Sequence, residues 1–232
     1  MRQGNRTFAL ALVVAVLALG TGRAIGGPIS ISFDESQLVN NDPILNFYDG
    51  GNTYRGIGPG PNLGVTFTIN ASVLTDTTNL IGTFTMPGVM LLSNSQAVAG
   101  QPISATMNVT GGFGGTVGFD YADLDKAGSF QVFSGFDGQG SLLTSVQLPV
   151  TSPAQSTTGI FVSDSFGFSG VGHSIVYTGG NQQIAFDDIL LQPAAIPEPP
   201  AWSLTAVAVI AAGAGRCAWR RRSTALQPAA VG

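Results

Sequence analysis

The chain has 232 residues, of which 44% are hydrophobic and only 9% are charged, with a formal net charge of −4. Between Ile25 and Pro197, twelve acidic residues stand against two basic ones, Arg55 and Lys126, so this segment has a formal charge of −10. That sign repels phosphate backbones and argues against a nucleic acid partner. The only cysteine, Cys217, lies near the C-terminus, so no disulfide can form within the central segment.

The first 24 residues have the pattern of a secretory signal peptide. Arg2 and Arg6 form a basic start, residues 8–19 form an apolar run, and Gly22-Arg23-Ala24 supplies small residues around a cleavage point. Twelve apolar residues are few for a membrane span. We therefore predict a signal helix over residues 1–24 that is removed on export, with an uncleaved anchor as the alternative.

Residues 28–193 alternate apolar and polar side chains in short runs separated by glycine-rich turns. This pattern predicts an all-β ectodomain, a β-sandwich or jelly roll of about ten short antiparallel strands. The signal helix would precede it and a transmembrane helix would follow it. The clearest predicted strands are Ile29 to Phe33, Val65 to Ile69, Ile103 to Val109, Val117 to Tyr121 and Ile184 to Leu191.

Exposed aromatic rings are the usual means of stacking on sugars. Both tryptophans lie in the C-terminal tail, so Tyr48 and Tyr54, in a glycine-rich segment, are the best candidates for an exposed sugar-binding pair. Packing within the loop is the alternative.

His173 is the only histidine and the only basis for a hydrolase hypothesis. It has no Gly-x-Ser-x-Gly elbow to accompany it, and a lone histidine cannot build the usual zinc site. We predict a surface histidine and no enzymatic activity.

Two acids in the last predicted strand, Asp187 and Asp188, have apolar neighbours on both faces. A regular pleat would aim one carboxylate into a packed layer, where an unpaired charge is costly. The segment Phe186-Asp187-Asp188-Ile189 is similar to the last strand of many jelly-roll carbohydrate-binding modules. That resemblance implies a structural Ca²⁺ held with Asp34 and Glu35 of the first strand, whereas the simpler interpretation is that these acids cap turns and meet solvent.

The C-terminal segment has the features of a membrane helix. Residues 201–219 would form about 28 Å of helix, close to the roughly 30 Å of a bilayer core. Trp202 and Trp219 fall at the two interfaces, and Arg220, Arg221 and Arg222 mark the cytoplasmic side.

Pro197, Glu198 and Pro199 precede this helix, and the order of motif, helix and arginine cluster over residues 194–222 resembles the PEP-CTERM sorting signal of Gram-negative bacteria. The resemblance implies an exosortase-type protease as partner and export through the inner membrane, with transient anchoring and then release to the surface or extracellular matrix. A short tail, residues 223–232, departs from the usual pattern, and a permanent anchor is the alternative.

The runs Asn46 to Gly51 and Gly60 to Phe67, with the closing run Ile184 to Ile189, resemble a recurrent ectodomain of such proteins. This resemblance covers nearly all of Ile29 to Gln192, and that ectodomain type has no assigned activity. These resemblances favour a structural or adhesive role among extracellular polysaccharides, as in a biofilm. A carbohydrate-binding module is the alternative, and a hydrolase is the third hypothesis.

Overall fold

The computed structural model describes residues 27–75, 83–84, 88–124, 126–152 and 158–194. Within these ranges the regular structure consists of strands and one 3-10 turn, Phe136–Gly138. The strands are β1 (Ile29–Ile31), β2 (Asp42–Pro43), β3 (Val65–Phe67), β4 (Ala71–Leu74), β5 (Thr83–Phe84), β6 (Val89–Leu92), β7 (Pro102–Asp123), β8 (Gly128–Phe133), β9 (Leu142–Leu148), β10 (Thr158–Gly159), β11 (Val162–Gly180) and β12 (Ile184–Pro193). The predicted all-β class is confirmed.

Ten of the strands belong to one hydrogen-bonded sheet in the order β2-β4-β6-β12-β7-β11-β8-β9, with β1 on β12 and β3 on β7. Every pair within this sheet is antiparallel. The remaining two, β5 and β10, form a small parallel pair. The chain divides at Ala195 and Ile196 into two units, and everything described lies in the first.

Two strands are much longer than predicted, because β7 has 22 residues and β11 has 19. They pair with each other along most of their length, with register shifts between Phe168 and Val171 and between Gly172 and Ser174. Near these shifts Gly112, Gly115 and Gly170 have φ values of 69°, 73° and 99°, which glycine adopts at no steric cost. The glycines therefore bend the paired strands without ending them.

The bend brings the two halves of the sheet face to face. Across the sheet Phe130 pairs with Tyr177, and Tyr177 pairs with Ala105. Ala105 and Phe119 are 14 positions apart on β7, which is roughly 45 Å of extended chain. Even so, the rings of Phe119 and Phe130 stack with centroids 5.0 Å apart. The strand must fold back on itself, which creates two layers with a shared core.

Aromatic rings fill much of that core. The ring centroids of Phe130 and Phe166 are 4.6 Å apart, and those of Tyr177 and Phe186 are 4.7 Å apart, both in edge-on geometry. A second, smaller cluster lies along β4, β6, β12 and the end of β7 and contains Leu74, Val89, Leu91, Ala122, Leu124 and Ala185. Because this edge of the sheet packs on both faces, all residues of β4 and β6 are buried.

The predicted signal helix (1–24), the predicted transmembrane helix (201–219), the Pro197–Pro199 motif and the Arg220–Arg222 cluster all lie outside the described residues. Across the described ranges, no helix has the length and apolar character needed to cross a bilayer.

Candidate functional site

An open groove of about 670 Å³ lies at one edge of the sheet. It is formed where β2 and the loop after it meet the start of β4, the loop after β6 and the turn between β11 and β12. Amides and hydroxyls predominate in its lining, together with one tyrosine, one isoleucine and one arginine. The lining residues are Asn41, Pro43, Tyr54, Arg55, Ile69, Asn70, Ser72, Ser93, Asn94, Ser95, Gln96 and Gln182. We call this site the polar groove.

The loop that carries Tyr54 is anchored on the buried carboxylate of Asp42. The Thr53 hydroxyl donates to Asp42 Oδ2 at 2.5 Å, and the Arg55 backbone N–H donates to Asp42 Oδ1 at 3.0 Å. The backbone N–H of Tyr54 itself donates to the Pro43 carbonyl at 2.9 Å. With the backbone fixed on both sides, the Tyr54 side chain is left 65% exposed at the groove. Ile69, also in the lining, is 56% exposed.

The opposite loop is anchored by Asn181, which is buried at the turn between β11 and β12. Its Oδ1 accepts the Asn94 backbone N–H at 2.8 Å, and its Nδ2 donates to the Ala97 carbonyl at 2.8 Å. Beside it, the Asn94 Nδ2 donates to Asn70 Oδ1 at 3.2 Å. These bonds connect the loop after β6 to the turn between β11 and β12 and to the segment before β4.

Several polar side chains of the groove are available to a ligand. Gln182 has a left-handed backbone, φ 60°, and its N–H donates to the Leu92 carbonyl at 2.7 Å. Within the described residues, the side-chain amides of Gln96 and Gln182 and the guanidinium of Arg55 form no hydrogen bond with the protein. Each amide can donate and accept at once. The groove therefore presents mixed hydrogen-bonding groups beside an exposed aromatic ring.

The prediction of an exposed Tyr48 and Tyr54 pair is wrong for Tyr48. Its side chain is 0% exposed and contacts the rings of Phe33 and Phe47 edge-on. Its hydroxyl donates to Glu35 Oε2 at 2.6 Å. Burial, and then this hydrogen bond, raise the pKa of the Tyr48 phenol far above its usual range. Tyr48 is a core residue, and of the two only Tyr54 lines the groove.

The last strand does place one carboxylate in a packed layer. Asp187 is 2% exposed, and burial raises its pKa to about 7, with the negative charges of Asp188, Asp34 and Asp120 adding to the shift. Asp188 has φ 47° beside a register shift, which turns its side chain to solvent. Its backbone N–H donates to Asp187 Oδ1 at 2.8 Å.

The four acids that the resemblance implied for Ca²⁺ are not assembled as a ligand set. No three carboxylates, imidazoles or thiols of the described residues lie in an arrangement that could hold a metal ion. Asp34 is close enough to raise the pKa of both Asp187 and Asp188, but Glu35 accepts the Tyr48 hydroxyl instead. The first and last strands do lie side by side, since β1 pairs with β12, but the four acids do not form a set of metal ligands.

His173 is half-buried beside the bend of β11. Its Nδ1 lies 3.4 Å from the Val109 carbonyl oxygen, and its ring packs at 5.1 Å from the ring of Phe136. Within the described part of the chain, no serine hydroxyl or carboxylate is hydrogen-bonded to His173. The structure thus brings no triad together around it.

Comparison with known proteins gives only distant structural similarity. No family model matches the chain, and no curated protein matches it significantly. A point mutant of a family 29 carbohydrate-binding module matches at 11% identity and a TM-score of 0.38, over 75% of this chain and all of that one. A family 6 carbohydrate-binding module matches at 17% identity and a TM-score of 0.33, over 56% of this chain and 87% of that one.

The K1 cleaved adhesin domain of Lys-gingipain from Porphyromonas gingivalis matches at 12% identity and a TM-score of 0.38, over 73% of this chain and 100% of that one. TM-scores at this level do not establish a common fold. The architecture and the groove described above rest on this chain's own strand pairing and contacts.

Proposed function

We propose that the described domain is a carbohydrate-binding module and that the polar groove is its ligand site. The observation that carries this proposal is the exposed side chain of Tyr54, on an anchored loop, in a groove that Ile69 and a set of amides and hydroxyls also line. Sugar rings have an apolar face and a rim of hydroxyls. An aromatic ring binds the first, and side chains that both donate and accept bind the second.

The dimensions of the groove suit this role. Its volume of about 670 Å³ falls within the range of roughly 300–1,000 Å³ that is common for small-molecule sites. Because the groove is open, a polysaccharide could continue beyond the bound segment. The hydrogen bonds that Asp42 accepts from Thr53 and that Asn181 accepts from Asn94 support both walls of the groove without a ligand, so little loop ordering is expected to oppose binding.

Substitution of Tyr54 by alanine in the purified full-length protein tests the proposal. Stacking on an aromatic ring contributes on the order of 1 kcal/mol beyond the area it buries, so Y54A is expected to bind glycan about tenfold more weakly than the wild type. Phe136→Ala is the matched control, because Phe136 is also an exposed aromatic residue but does not line the groove. Binding is measured on a glycan array and then by affinity electrophoresis. Equal loss in both variants, or no glycan retained by the wild type, would contradict the proposal.

We further propose that the module is exported and sorted by an exosortase-type system to the cell surface or extracellular matrix, where it has a non-enzymatic adhesive role. The support is in the sequence: the signal-like residues 1–24 and the Pro197-Glu198-Pro199 motif before the arginine cluster. Mass spectrometry of the C-terminus after fractionation of the native host tests this. An intact tail on cytoplasmic protein would contradict it.

A further inference from the structure

The polar groove holds an unusual charge for this domain. Arg55 and Lys126 are the only basic residues between Ile25 and Pro197, a segment with twelve acidic residues. The Lys126 ammonium is already used, since it donates to the Gly100 carbonyl at 2.9 Å. Arg55 lines the groove, and within the described residues its guanidinium forms no hydrogen bond and no ion pair. The one unused cation of the described domain therefore lies in the proposed ligand site.

Among the described residues, the lining of the groove contains no carboxylate that could compete for Arg55. None of the twelve lining residues is acidic. Asp42 lies beneath the loop, fully buried, and its two oxygens accept the Thr53 hydroxyl and the Arg55 backbone N–H. Asp42 therefore binds the backbone of Arg55 and leaves the guanidinium donors unpaired.

We propose that the groove selects an acidic glycan, with a uronate carboxylate paired to the Arg55 guanidinium while a neighbouring sugar ring stacks on Tyr54. This inference rests on the proposed carbohydrate-binding function. The planar guanidinium presents parallel N–H donors that match the two oxygens of a carboxylate, and such charge-assisted pairs are about twice as strong as neutral hydrogen bonds. Because Tyr54 and Arg55 are consecutive residues of an anchored loop, one ligand can reach both.

The net negative charge of the domain repels an acidic polymer, but this repulsion acts only over a short distance. At physiological ionic strength charges are screened over about 8 Å. The repulsion between the polymer and exposed carboxylates farther than this from the groove is therefore weakened. A direct contact between the polymer and Arg55 is weakened much less. The local contact is expected to prevail at the groove, and the rest of the surface is expected to discourage nonspecific binding of the same polymer.

The test compares polygalacturonate with the same polymer after its carboxyl groups have been reduced to alcohols, using affinity electrophoresis of the full-length protein. We expect the wild type to bind polygalacturonate at least about tenfold more tightly than the reduced polymer, equivalent to roughly 1.4 kcal/mol. Arg55→Gln is expected to remove this preference, so that the variant binds both polymers with the same affinity. Arg55→Lys is expected to retain part of it, and Lys126→Gln all of it.

The outcomes separate the two proposals. If the wild type binds both polymers equally, or prefers the reduced one, the acidic-glycan inference is overturned and the carbohydrate-binding function stands. If Arg55→Gln keeps the preference, Arg55 is not its source. If the wild type binds neither these polymers nor any glycan of the array, the proposed function fails and this inference with it. A thermal melt of Arg55→Gln verifies folding, which is expected because the exposed Arg55 side chain forms no hydrogen bond or ion pair within the described residues.

Discussion

The hydroxyl of Thr53 donates a 2.5 Å hydrogen bond to the buried carboxylate of Asp42. The same hydroxyl oxygen accepts the Ile57 backbone N–H at 3.1 Å, so one side chain links a strand to both ends of the loop that presents Tyr54. The position of the Tyr54 ring is therefore expected to depend on a buried polar contact between two residues that do not line the groove.

Thr53→Val tests this dependence. Valine has nearly the same shape but leaves the Ile57 N–H and one Asp42 oxygen without their partner, which is expected to cost about 1–3 kcal/mol in the free energy of unfolding. Glycan affinity is expected to fall as well, because the Tyr54 loop loses its anchor. Thr66→Val on β3 is the matched control, since the Thr66 hydroxyl forms no hydrogen bond within the described residues. Chemical denaturation and affinity electrophoresis report the two effects; an unchanged affinity in Thr53→Val would remove Thr53 from the positioning of the groove.

The two tyrosines of the glycine-rich segment are expected to separate stability from binding. Tyr48→Phe removes the hydroxyl that donates to Glu35, so it is expected to lower the free energy of unfolding by about 1–3 kcal/mol and to leave glycan affinity unchanged. Tyr54→Ala is expected to lower glycan affinity and to leave the free energy of unfolding nearly unchanged, since its side chain is exposed. Thermal melting and a binding titration on both variants make the comparison. A loss of affinity in Tyr48→Phe at unchanged stability would assign Tyr48 to the site after all.

The stability of the domain is expected to increase as pH falls from 7 toward 4. The pKa of Asp187 is about 7 in the folded protein against an ordinary value of 3.8, so the folded state binds more protons than the unfolded state in this window. By linkage, the free energy of unfolding changes by about 1 kcal/mol per pH unit there, and it decreases as pH rises. Urea denaturation at several pH values measures the slope.

Asp187→Asn is expected to flatten that slope and to stabilise the protein above pH 7, where the wild-type carboxylate is ionised. Asp188→Asn is the companion variant and is expected to change the slope less, because Asp188 is exposed. A wild-type stability that rises between pH 4 and pH 7 would contradict the assignment of a proton to buried Asp187.

The bend of the long strands is expected to tolerate substitution at one glycine and not at another. A Cβ at Gly172 would lie 2.7 Å from Phe113 Cζ and 2.8 Å from Val132 Cγ1, both core side chains. Gly172→Ala is therefore expected to destabilise the domain by about 1–3 kcal/mol through overpacking. Gly111→Ala is the control, since nothing lies within 4 Å of its added Cβ. Equal denaturation midpoints for the two variants would show that packing against Phe113 does not constrain the bend.

Much of the fold follows from local patterns in the sequence. Alternation correctly places Ile31, Phe33 and Val65 in the core. Alternation failed for β4 and β6, because strands that pack on both faces have no polar side to alternate with.

The glycines misled the prediction of strand length. The sequence pattern predicts that glycine-rich stretches are turns between short strands. At Gly111 and Gly112, however, β7 continues, because the freedom of φ at a glycine serves a bend within a strand as well as a reversal of the chain. The predicted strand Val65 to Ile69 is too long by two residues, because β3 ends at Phe67 and Ile69 is exposed at the groove.

Only a small part of the candidate site could be predicted from the sequence. Tyr54 was identified because an aromatic residue in a glycine-rich loop is commonly exposed. The amides were not, because Asn41, Asn70, Gln96 and Gln182 come from four separate segments that only strand pairing brings together. Asn and Gln at loop positions are too common to indicate a site by themselves.

Because β7 and β11 run through both layers, they are expected to couple the unfolding of one layer to that of the other. Each layer contains part of the same two continuous strands. If one layer unfolds, the other therefore loses some of its strand pairing. Amide exchange in the slowest-exchanging residues of the two layers is therefore expected to follow a single global opening rather than two separate ones.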